Sequence, residues 1–328
     1  MKQSGQSGNR RVLVTGATGF IGANLIERLL ADTNCRIYAF NNNPASSKFF
    51  TLRPFRNNRI RPYQIDLLDF KSIKSAIHRI RPHYVVHLGA VVNLERSYEV
   101  ASSCIDTNIK GTLNILEALK GLSVRRFIYC STVEVYGNGQ VPFVETQRID
   151  VVSPYSITKL TGEMFTQLYS KLHGIPVVIL RLSNVYGPYQ KKERFIPMAI
   201  LSSLKGEDIQ LNSSKMKSRD FCFVGDAADA IFMAFDNKKA KDEIINIGNN
   251  KSTRLFDVGQ LIAKEVGSKS KVICRENKAR PLENERWCCD FRKAKKILGW
   301  QPKTSLSEGI SRTIEWYRNF PKNQPFEG

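Results

Sequence analysis

The chain has 328 residues, 42% of them hydrophobic, so it is long enough to bury a large core. Its 50 Lys and Arg outnumber its 30 Asp and Glu, giving a formal net charge of +20 at pH 7. Such an excess suits phosphorylated ligands, nucleic acid or acidic lipid, but the basic residues are spread along the chain as on an ordinary solvated surface, so we expect no nucleic acid partner. No stretch approaches the roughly 20 apolar residues of a membrane span, so we expect no membrane partner either.

The cysteines and histidines predict neither disulfides nor a metal site. Seven cysteines without C-x-x-C spacing argue against a disulfide framework or a zinc site and favour a reducing cytoplasm. The adjacent Cys288 and Cys289 are expected to be half-buried strand residues. No metal-ligand spacing is found among the four histidines, His78, His83, His87 and His173.

The first elements along the chain are a tail, a strand and a helix. Residues 1–10 are polar and glycine-rich and are predicted to form a disordered tail. The apolar run at residues 11–15 predicts a strand, and residues 23–30 follow a helical pattern. Strand and helix are joined by a glycine-rich turn.

This turn has the spacing G-x-x-G-x-x-G. In such a strand, turn and helix, backbone amides and the helix N-terminus bind a pyrophosphate, although the typical dinucleotide fingerprint is G-x-G-x-x-G. The alternative is a turn that serves only the close packing of strand and helix. The predicted cofactor-binding residues of the turn are Gly16, Thr18, Gly19, Phe20, Ile21 and Gly22.

Apolar runs alternate with helical segments through residue 182. Further strands are predicted at 36–40, 60–65, 84–88, 126–130 and 177–182, with helices at 72–80, 97–119 and 154–173. Continuous apolar strands separated by helices imply a parallel sheet covered on both faces. The predicted fold class is therefore α/β, a doubly wound parallel sheet (Rossmann-like) formed by residues 11–183. The pattern then loosens, and residues 184–328 are predicted to form mainly a smaller C-terminal lobe that closes the ligand cleft, with segments returning to the sheet.

Near the middle of the chain, Tyr155 stands four residues before Lys159 at the predicted start of a helix. Four residues make about one helical turn, so both side chains share one face. A lysine ammonium beside a phenol favours the phenolate, because a nearby positive charge stabilises the ionised form. The pair therefore predicts a base that can take a proton from an alcohol at neutral pH.

Ten motifs follow one another along nearly the whole chain. They are Gly16-x-x-Gly19-x-x-Gly22, Asp66-Leu67, His87-Leu88-Gly89-Ala90, Asn108-x-x-Gly111-Thr112, Ser131-Thr132-Val133-Glu134-Val135-Tyr136-Gly137, Tyr155-x-x-x-Lys159, Arg181-Leu182-Ser183-Asn184-Val185-Tyr186-Gly187-Pro188, Arg219-Asp220-Phe221, Asn246-Ile247-Gly248 and Arg280-Pro281. In this order they resemble the extended short-chain dehydrogenase/reductases, specifically the NAD(P)-dependent nucleotide-sugar epimerase/dehydratase branch. The resemblance implies a sheet that binds NAD or NADP tightly and a C-terminal lobe that binds a nucleoside diphosphate sugar.

The resemblance also implies catalytic roles. Tyr155 would deprotonate a sugar hydroxyl, usually at C4, as hydride passes to the nicotinamide. Thr132 would hydrogen-bond the reacting oxygen, and Lys159 would hold the nicotinamide ribose and keep Tyr155 ionised.

Binding roles come from the same resemblance. Asp66 would contact the adenine, and further cofactor contacts are implied for Leu67, Leu88, Ala90 and Asn108. Three residues would grip the diphosphate of the sugar nucleotide, in keeping with the fit of an arginine fork to phosphate oxygens. They are Asn184, Arg219 and Arg280.

Glu134 bears on the chemistry after C4 oxidation. A 4-keto group makes the neighbouring C5 proton acidic, so a carboxylate there can act as general base. In the resembling 4,6-dehydratases the equivalent Glu works at C5, whereas typical 4-epimerases have a small or neutral residue. Val133 replaces an Asp found in many dehydratases and cannot donate a proton to a leaving hydroxyl. The sequence narrowly favours a 4,6-dehydratase and leaves a 4-epimerase, a 4-ketoreductase and a decarboxylase open.

The choice between NAD and NADP is open as well. In NAD-using relatives an Asp after the second strand bonds the adenosine ribose and repels a 2′-phosphate. Asn41 stands at that position, and its uncharged amide would not repel a 2′-phosphate. NADP is therefore permitted, with Lys48 or Arg53 as phosphate partners.

A homodimer is expected, because in the resembling family two long helices of each subunit form the dimer interface. The matching segments are 97–119 and 154–173. In the first, apolar residues recur at helical spacing at Ile105, Ile109, Leu113 and Leu116. The alternative is that this stripe only covers the sheet.

An alternative from another class is a non-catalytic protein of this fold that senses NADP or binds RNA. The presence of Thr132, Tyr155 and Lys159 together favours an enzyme.

Overall fold

The computed structural model describes residues 10–32, 34–42, 55–93, 95, 97–276, 282 and 284–319. The first strand begins at Arg10, one residue inside the predicted tail, and residues 1–9 lie outside the described part. Lys48, Arg53 and Arg280 also lie outside it, so their predicted roles stay predictions.

The elements up to residue 182 alternate between strands and helices. They are β1 (Arg10–Thr15), α1 (Phe20–Leu30), β2 (Cys35–Asn41), β3 (Ile60–Gln64), α2 (Phe70–Ile80), β4 (Tyr84–His87), α3 (Tyr98–Cys104), a π-helical stretch (Ile105–Lys110), α4 (Gly111–Ala118), β5 (Arg126–Thr132), a 3-10 turn (Val133–Tyr136), α5 (Pro154–His173) and β6 (Val177–Leu182). The single helix predicted at 97–119 is therefore three consecutive helical pieces, with the π-helical stretch in the middle.

Short strands and helices make up the remainder. They are β7 (Asn184–Tyr186), α6 (Phe195–Leu204), β8 (Ile209–Leu211), β9 (Ser218–Phe223), α7 (Val224–Met233), a 3-10 turn (Lys238–Ala240), β10 (Glu243–Ile247), β11 (Ser252–Arg254), α8 (Leu255–Val266), β12 (Val272–Cys274), α9 (Arg292–Leu298) and α10 (Leu306–Asn319). Two small sheets form here, one of β11, β9 and β7 and one of β12 and β8, while β10 joins the large sheet beside β6.

The large sheet has seven strands in the order β3, β2, β1, β4, β5, β6, β10, and every neighbouring pair is parallel. This confirms the predicted doubly wound parallel sheet. The strand order reverses between β1 and β4, where Thr15 is in register with His87. In such sheets ligands bind at this reversal, beyond the carboxyl ends of the strands.

Helices cover both faces of the sheet. Successive side chains of a strand point to opposite faces, and β1 buries Val12 and Val14 on one face and Leu13 on the other. All three side chains are fully buried, as expected for an apolar strand covered on both sides. The sheet edge that carries the carboxyl ends of the strands is thereby held in a fixed position.

Two sequence expectations need correction. The apolar stripe predicted in residues 97–119 does not form one buried face. Leu116 is fully buried in the core on one face of the sheet, whereas Ile105 is 45% exposed. Cys288 and Cys289 are buried rather than half-buried and lie outside the named strands, with Cys289 in an isolated bridge to Phe143. All seven cysteines are free thiols. Among the helices of the described residues, none has the length and apolar character needed to cross a bilayer.

Candidate active site

The glycine-rich turn after β1 approaches the loop after β4 very closely. Gly16 has φ +64°, and a Cβ there would lie 2.8 Å from the backbone N of Gly89. A Cβ on Gly22 would overlap the carbonyl oxygen of Gly16. These glycines are therefore needed for packing, as the alternative interpretation of the sequence holds, and this does not exclude a binding role.

The N-terminus of α1 is open to an anion. Gly19 caps this helix in an extended conformation, and no side chain bonds to the helix end there. The first amides of a helix lack partners within the helix and carry partial positive charge. The turn therefore fits the pyrophosphate of a dinucleotide.

The adenine side of the predicted cofactor site lies at the ends of β2 and β3. Asn41 is 8% exposed, and its backbone carbonyl accepts a hydrogen bond from the backbone N of Ile65 at 2.7 Å. Asp66 is exposed, and its Oδ1 accepts from the backbone N of Leu68 at 2.9 Å. Leu67 beside it is buried.

The loop after β4 carries the partly buried Leu88 and Ala90 and is fixed by Asn108. Oδ1 of Asn108 accepts from the backbone N of Val91 at 2.8 Å, and its Nδ2 donates to the Val91 carbonyl at 3.1 Å. The same Nδ2 donates to Oγ1 of Thr158 in α5 at 3.0 Å. Asn108 lies in the π-helical stretch and is 1% exposed. Its side chain therefore links this loop to α5 through buried hydrogen bonds.

A capping box sets the start of α5. Ser153 is the N-cap, its Oγ accepts from the backbone N of Ser156, and the Ser156 hydroxyl accepts from the Ser153 backbone N. Pro154 stands in the first turn, where its missing N–H costs nothing. Tyr155 therefore lies in the first turn of α5, and Lys159 lies one turn further along the helix.

Thr132, Glu134 and Tyr155 come together around this helix start. Oγ1 of Thr132, at the end of β5, accepts from the backbone N of Glu134 at 3.2 Å. Ser153 Oγ donates to Oε1 of Glu134 at 2.7 Å, and Glu134 is only 6% exposed. The carboxylate lies close enough to Tyr155 to raise the pKa of its phenol.

In this structure the pKa of the Tyr155 phenol is raised, and the ionisation expected from Lys159 stays a prediction. Burial first, and the Glu134 carboxylate second, raise the pKa of Tyr155 above its ordinary value, and Arg194 partly opposes them. Lys159 instead places its Nζ 4.2 Å from the centre of the Tyr129 ring. Burial lowers the pKa of Lys159 to about 8, since a low-dielectric site disfavours the ammonium.

Two of the three predicted substrate residues, Asn184 and Arg219, lie in short strands after residue 183. Asn184 begins β7 and is partly buried. Arg219 in β9 is 3% exposed, its guanidinium lies 4.4 Å from the Trp287 ring centre, and its Nη1 donates to the Ser218 carbonyl at 2.7 Å. Arg219 is thus oriented by its own lobe.

Beside Arg219, Asp220 organises the lobe. Its carboxylate accepts from the backbone N of Asn249, Asn250 and Cys289 at 2.7, 3.0 and 2.9 Å. Burial raises the pKa of Asp220 to about 6, although these hydrogen bonds act in the opposite direction. In the sequence, Asp220 belongs to the motif Arg219-Asp220-Phe221, but no role was predicted for it.

The sequence also missed a buried ion pair behind the site. Arg181 Nη2 lies 2.6 Å from Glu163 Oε2, and both side chains are at most 4% exposed. Arg181 Nη1 donates to the Tyr136 hydroxyl at 2.8 Å, which donates to Oδ1 of Asn246 at 2.7 Å. These bonds hold the 3-10 turn that carries Glu134. A charged residue within the apolar run of β6 was the available signal, because buried charges need partners.

Arg194 was missed too. It caps α6, and its Nη2 donates to the carbonyl of Val92 at 2.8 Å. Its charge lowers the pKa of Tyr155, so a lobe residue reaches the cleft. Within the described residues, no group of three or more His, Cys, Asp or Glu could hold a metal ion.

The family model described as GDP-mannose 4,6 dehydratase matches residues 13–313. Among curated relatives, the UDP-glucuronate 4-epimerase of Thermodesulfobacterium geofontis is 31% identical over 93% of this chain and 95% of its own length. The dTDP-glucose 4,6-dehydratase of Neisseria meningitidis serogroup B is 29% identical over 94% of this chain and 93% of its own. One epimerase and one dehydratase are thus similar to the chain to nearly the same degree.

Two solved structures of 4-epimerases share the fold of this chain over nearly its whole length. The Bacillus cereus UDP-glucuronic acid 4-epimerase, in complex with UDP-glucuronic acid and NAD, superposes with a TM-score of 0.87 at 28% identity, covering 94% of this chain and 99% of that one. The Thermus thermophilus UDP-glucose 4-epimerase complex with NAD gives a TM-score of 0.84 at 28% identity, covering 95% and 100%.

Proposed function

This chain belongs to the extended short-chain dehydrogenase/reductase family of NAD(P)-dependent nucleotide-sugar epimerases and dehydratases, and from that membership we propose that it oxidises C4 of a nucleoside diphosphate hexose and then dehydrates it as a 4,6-dehydratase. The single observation that carries the dehydratase proposal is Glu134, a buried carboxylate held by Ser153 beside Tyr155. A base in that position suits removal of the C5 proton.

The residues that would hold the cofactor lie in the glycine-rich turn, at the end of β2 and in α5. The open N-terminus of α1 suits its pyrophosphate, Asn41 its adenosine ribose and Lys159 its nicotinamide ribose. When bound, the nicotinamide would supply a hydride acceptor for C4 and a positive charge in its oxidised form, and a hydride donor for C6 once it is reduced. Two solved relatives bind NAD; Asn41 repels no 2′-phosphate, so we propose NAD with NADP permitted.

In the first step Tyr155 accepts the proton of the C4 hydroxyl, while Thr132 hydrogen-bonds the same oxygen. Its raised pKa means that Tyr155 needs added positive charge to lose its own proton. Arg194 supplies part of that charge from the lobe, and the Lys159 ammonium supplies more when it turns from Tyr129 toward the ribose.

In the second step Glu134 takes the C5 proton. The C5–C6 double bond forms as the C6–O bond breaks, and the hydroxyl leaves as water with the proton that Glu134 returns. The double bond is lost at the end, when C6 gains the hydride that left C4 and C5 gains a solvent proton through Glu134. Val133 is 2% exposed and packs with Tyr136 and Phe143, so Glu134 performs both proton transfers.

A 4-epimerase is the second candidate, favoured by the missing acid at Val133 and by the similarity to 4-epimerases. Glu134 would then only order the turn through Ser153. A 4-ketoreductase or decarboxylase of the family remains a further alternative. Incubation with a panel of UDP-, dTDP- and GDP-sugars, followed by mass spectrometry, separates these: loss of water supports the dehydratase, and an unchanged mass with altered chromatography supports the epimerase.

The remaining roles concern substrate, assembly and compartment. We propose that Asn184, Arg219 and Arg280 bind the diphosphate of the sugar nucleotide. We propose a homodimer through α5 and the neighbouring helical pieces, because large apolar side chains lie exposed on that side of the protein. They are Ile105, Ile157, Met164, Leu168 and Leu172. Seven free thiols suit a reducing cytoplasm.

A further inference from the structure

The end of β4 carries a buried histidine that no step above uses. His87 is 1% exposed, and it lies between the end of β1 and the start of α4. Its Nδ1 lies 2.7 Å from Oγ1 of Thr15, and its Nε2 lies 2.9 Å from Oγ1 of Thr112. The ring therefore bridges two elements on either side of its strand.

The direction of each hydrogen bond follows from the number of hydrogens available. Oγ1 of Thr112 donates its one hydrogen to the Asn108 carbonyl at 2.6 Å, so it accepts from His87. Nε2 of His87 therefore carries hydrogen, and Nδ1 accepts from Oγ1 of Thr15. That oxygen in turn accepts from the backbone N of Gly89 at 3.0 Å. Each hydrogen in this buried chain has one acceptor.

The imidazole is neutral. Burial first, and the positive charge of Lys159 second, lower the pKa of His87 to about 3. A neutral ring with one N–H and one bare nitrogen can donate to one side and accept from the other. The imidazolium would have two N–H groups, and Thr15 could then no longer donate to it.

Both ends of this chain reach functional elements. At one end Gly89 lies against Gly16, at the close approach of the glycine turn and the loop. At the other end Asn108 binds both Val91 backbone atoms and Thr158 of α5. A shift of the ring would therefore move the turn relative to the loop and the helix.

We propose that His87 is a positioning residue of the cofactor site, which as the neutral Nε2–H tautomer sets the separation between the glycine turn and the loop after β4. Through Thr112 and Asn108 it also fixes α5 relative to that turn. This inference rests on the proposed function only for naming NAD(P) as the ligand.

The first test compares isosteric variants of Thr15. Thr15→Val keeps the shape and removes the hydroxyl, whereas Thr15→Ser keeps the hydroxyl. The control is Thr313→Val in α10, because Thr313 is also fully buried and the variant loses a buried hydroxyl that donates to the Gly309 carbonyl at 2.6 Å. Kd for NAD and for NADP is measured by calorimetry, with the unfolding temperature of each variant.

We expect Thr15→Val to raise Kd for the cofactor about tenfold, equivalent to about 1.4 kcal/mol. Thr15→Ser and Thr313→Val should bind like the parent. Parent-like binding by Thr15→Val, or an equal loss in Thr313→Val, overturns the proposal. Failure of the parent itself to bind NAD or NADP contradicts the proposed function instead.

The second test reads the tautomer directly and needs no cofactor. In protein with ¹⁵N-labelled histidine, the His87 resonances should report a protonated Nε2 and an unprotonated Nδ1 from about pH 5 to pH 8. A protonated Nδ1 in that range, in either the other tautomer or the imidazolium, overturns the assignment.

Discussion

The Ser153 hydroxyl donates to Oε1 of Glu134 at 2.7 Å while its oxygen accepts from the first turn of α5. One side chain thus both begins the helix that carries Tyr155 and orients the carboxylate beside it. The base proposed for C4 and the base proposed for C5 are positioned by the same residue.

Replacing this serine should separate capping from catalysis. Ser153→Ala removes an N-cap worth about 1 kcal/mol and also removes the hydrogen bond from Ser153 to the Glu134 carboxylate. The matched control is Ser97→Ala, since Ser97 caps α3 by the same kind of bond to Val100. Both variants should lose similar stability in denaturant unfolding, and only Ser153→Ala should slow dehydration. Equal turnover in the two variants would show that the bond to Glu134 does not matter.

Tyr155→Phe tests the base at C4. The variant should lose about 10²- to 10⁴-fold in turnover while binding cofactor and sugar nucleotide almost as well as the parent. Tyr169→Phe, on the same helix, removes a hydroxyl bonded to Glu117 and should leave turnover unchanged. If Tyr155→Phe keeps more than about a hundredth of the activity, another group removes the proton.

The alkaline side of the pH profile should report Lys159. Burial lowers the pKa of its ammonium to about 8, so the positive charge is present below that pH and is lost as the pH rises through it. We expect kcat/KM to fall above about pH 8. Lys159→Arg keeps its charge at all accessible pH values, so any residual activity should not fall there. A flat parent profile to about pH 10 would contradict this role.

The proposed dimer can be broken on the exposed face of α5. Met164 is 63% exposed, and Met164→Glu would place a charge in the interface, so the parent should be a dimer at micromolar concentration and the variant a monomer by light scattering. Met216 is also 63% exposed but lies in the lobe, and Met216→Glu should leave the mass unchanged. A monomeric parent would refute the dimer.

Local patterns predicted several elements to within a residue or two. β6 and α5 match at both ends, because an apolar run defines the strand and the sequence from Ser153 to Gly174 contains both caps of the helix. The π-helical stretch was missed, since one extra residue per turn hardly changes the apolar spacing.

The electrostatics of the site could not be predicted from spacing. Tyr155 and Lys159 are one turn apart, yet burial and the Glu134 carboxylate dominate the phenol's pKa. The contacts of Arg194 and Arg181 also join residues far apart in the chain, and the hydrophobic periodicity of the sequence does not predict such contacts. The residue types were visible in the sequence, but their partners depend on the tertiary fold.

The most direct measurement uses Glu134→Gln, which keeps the shape and removes the base. The variant and the parent are mixed in D₂O with the nucleotide sugar identified by mass spectrometry, and nicotinamide absorbance, product mass and C5 deuterium are followed. We predict that the variant still reduces its bound cofactor, because C4 oxidation belongs to Tyr155, yet releases little dehydrated product and incorporates little deuterium at C5. If it turns over like the parent, Glu134 only orders the turn, the dehydratase proposal fails, and the 4-epimerase becomes the better account.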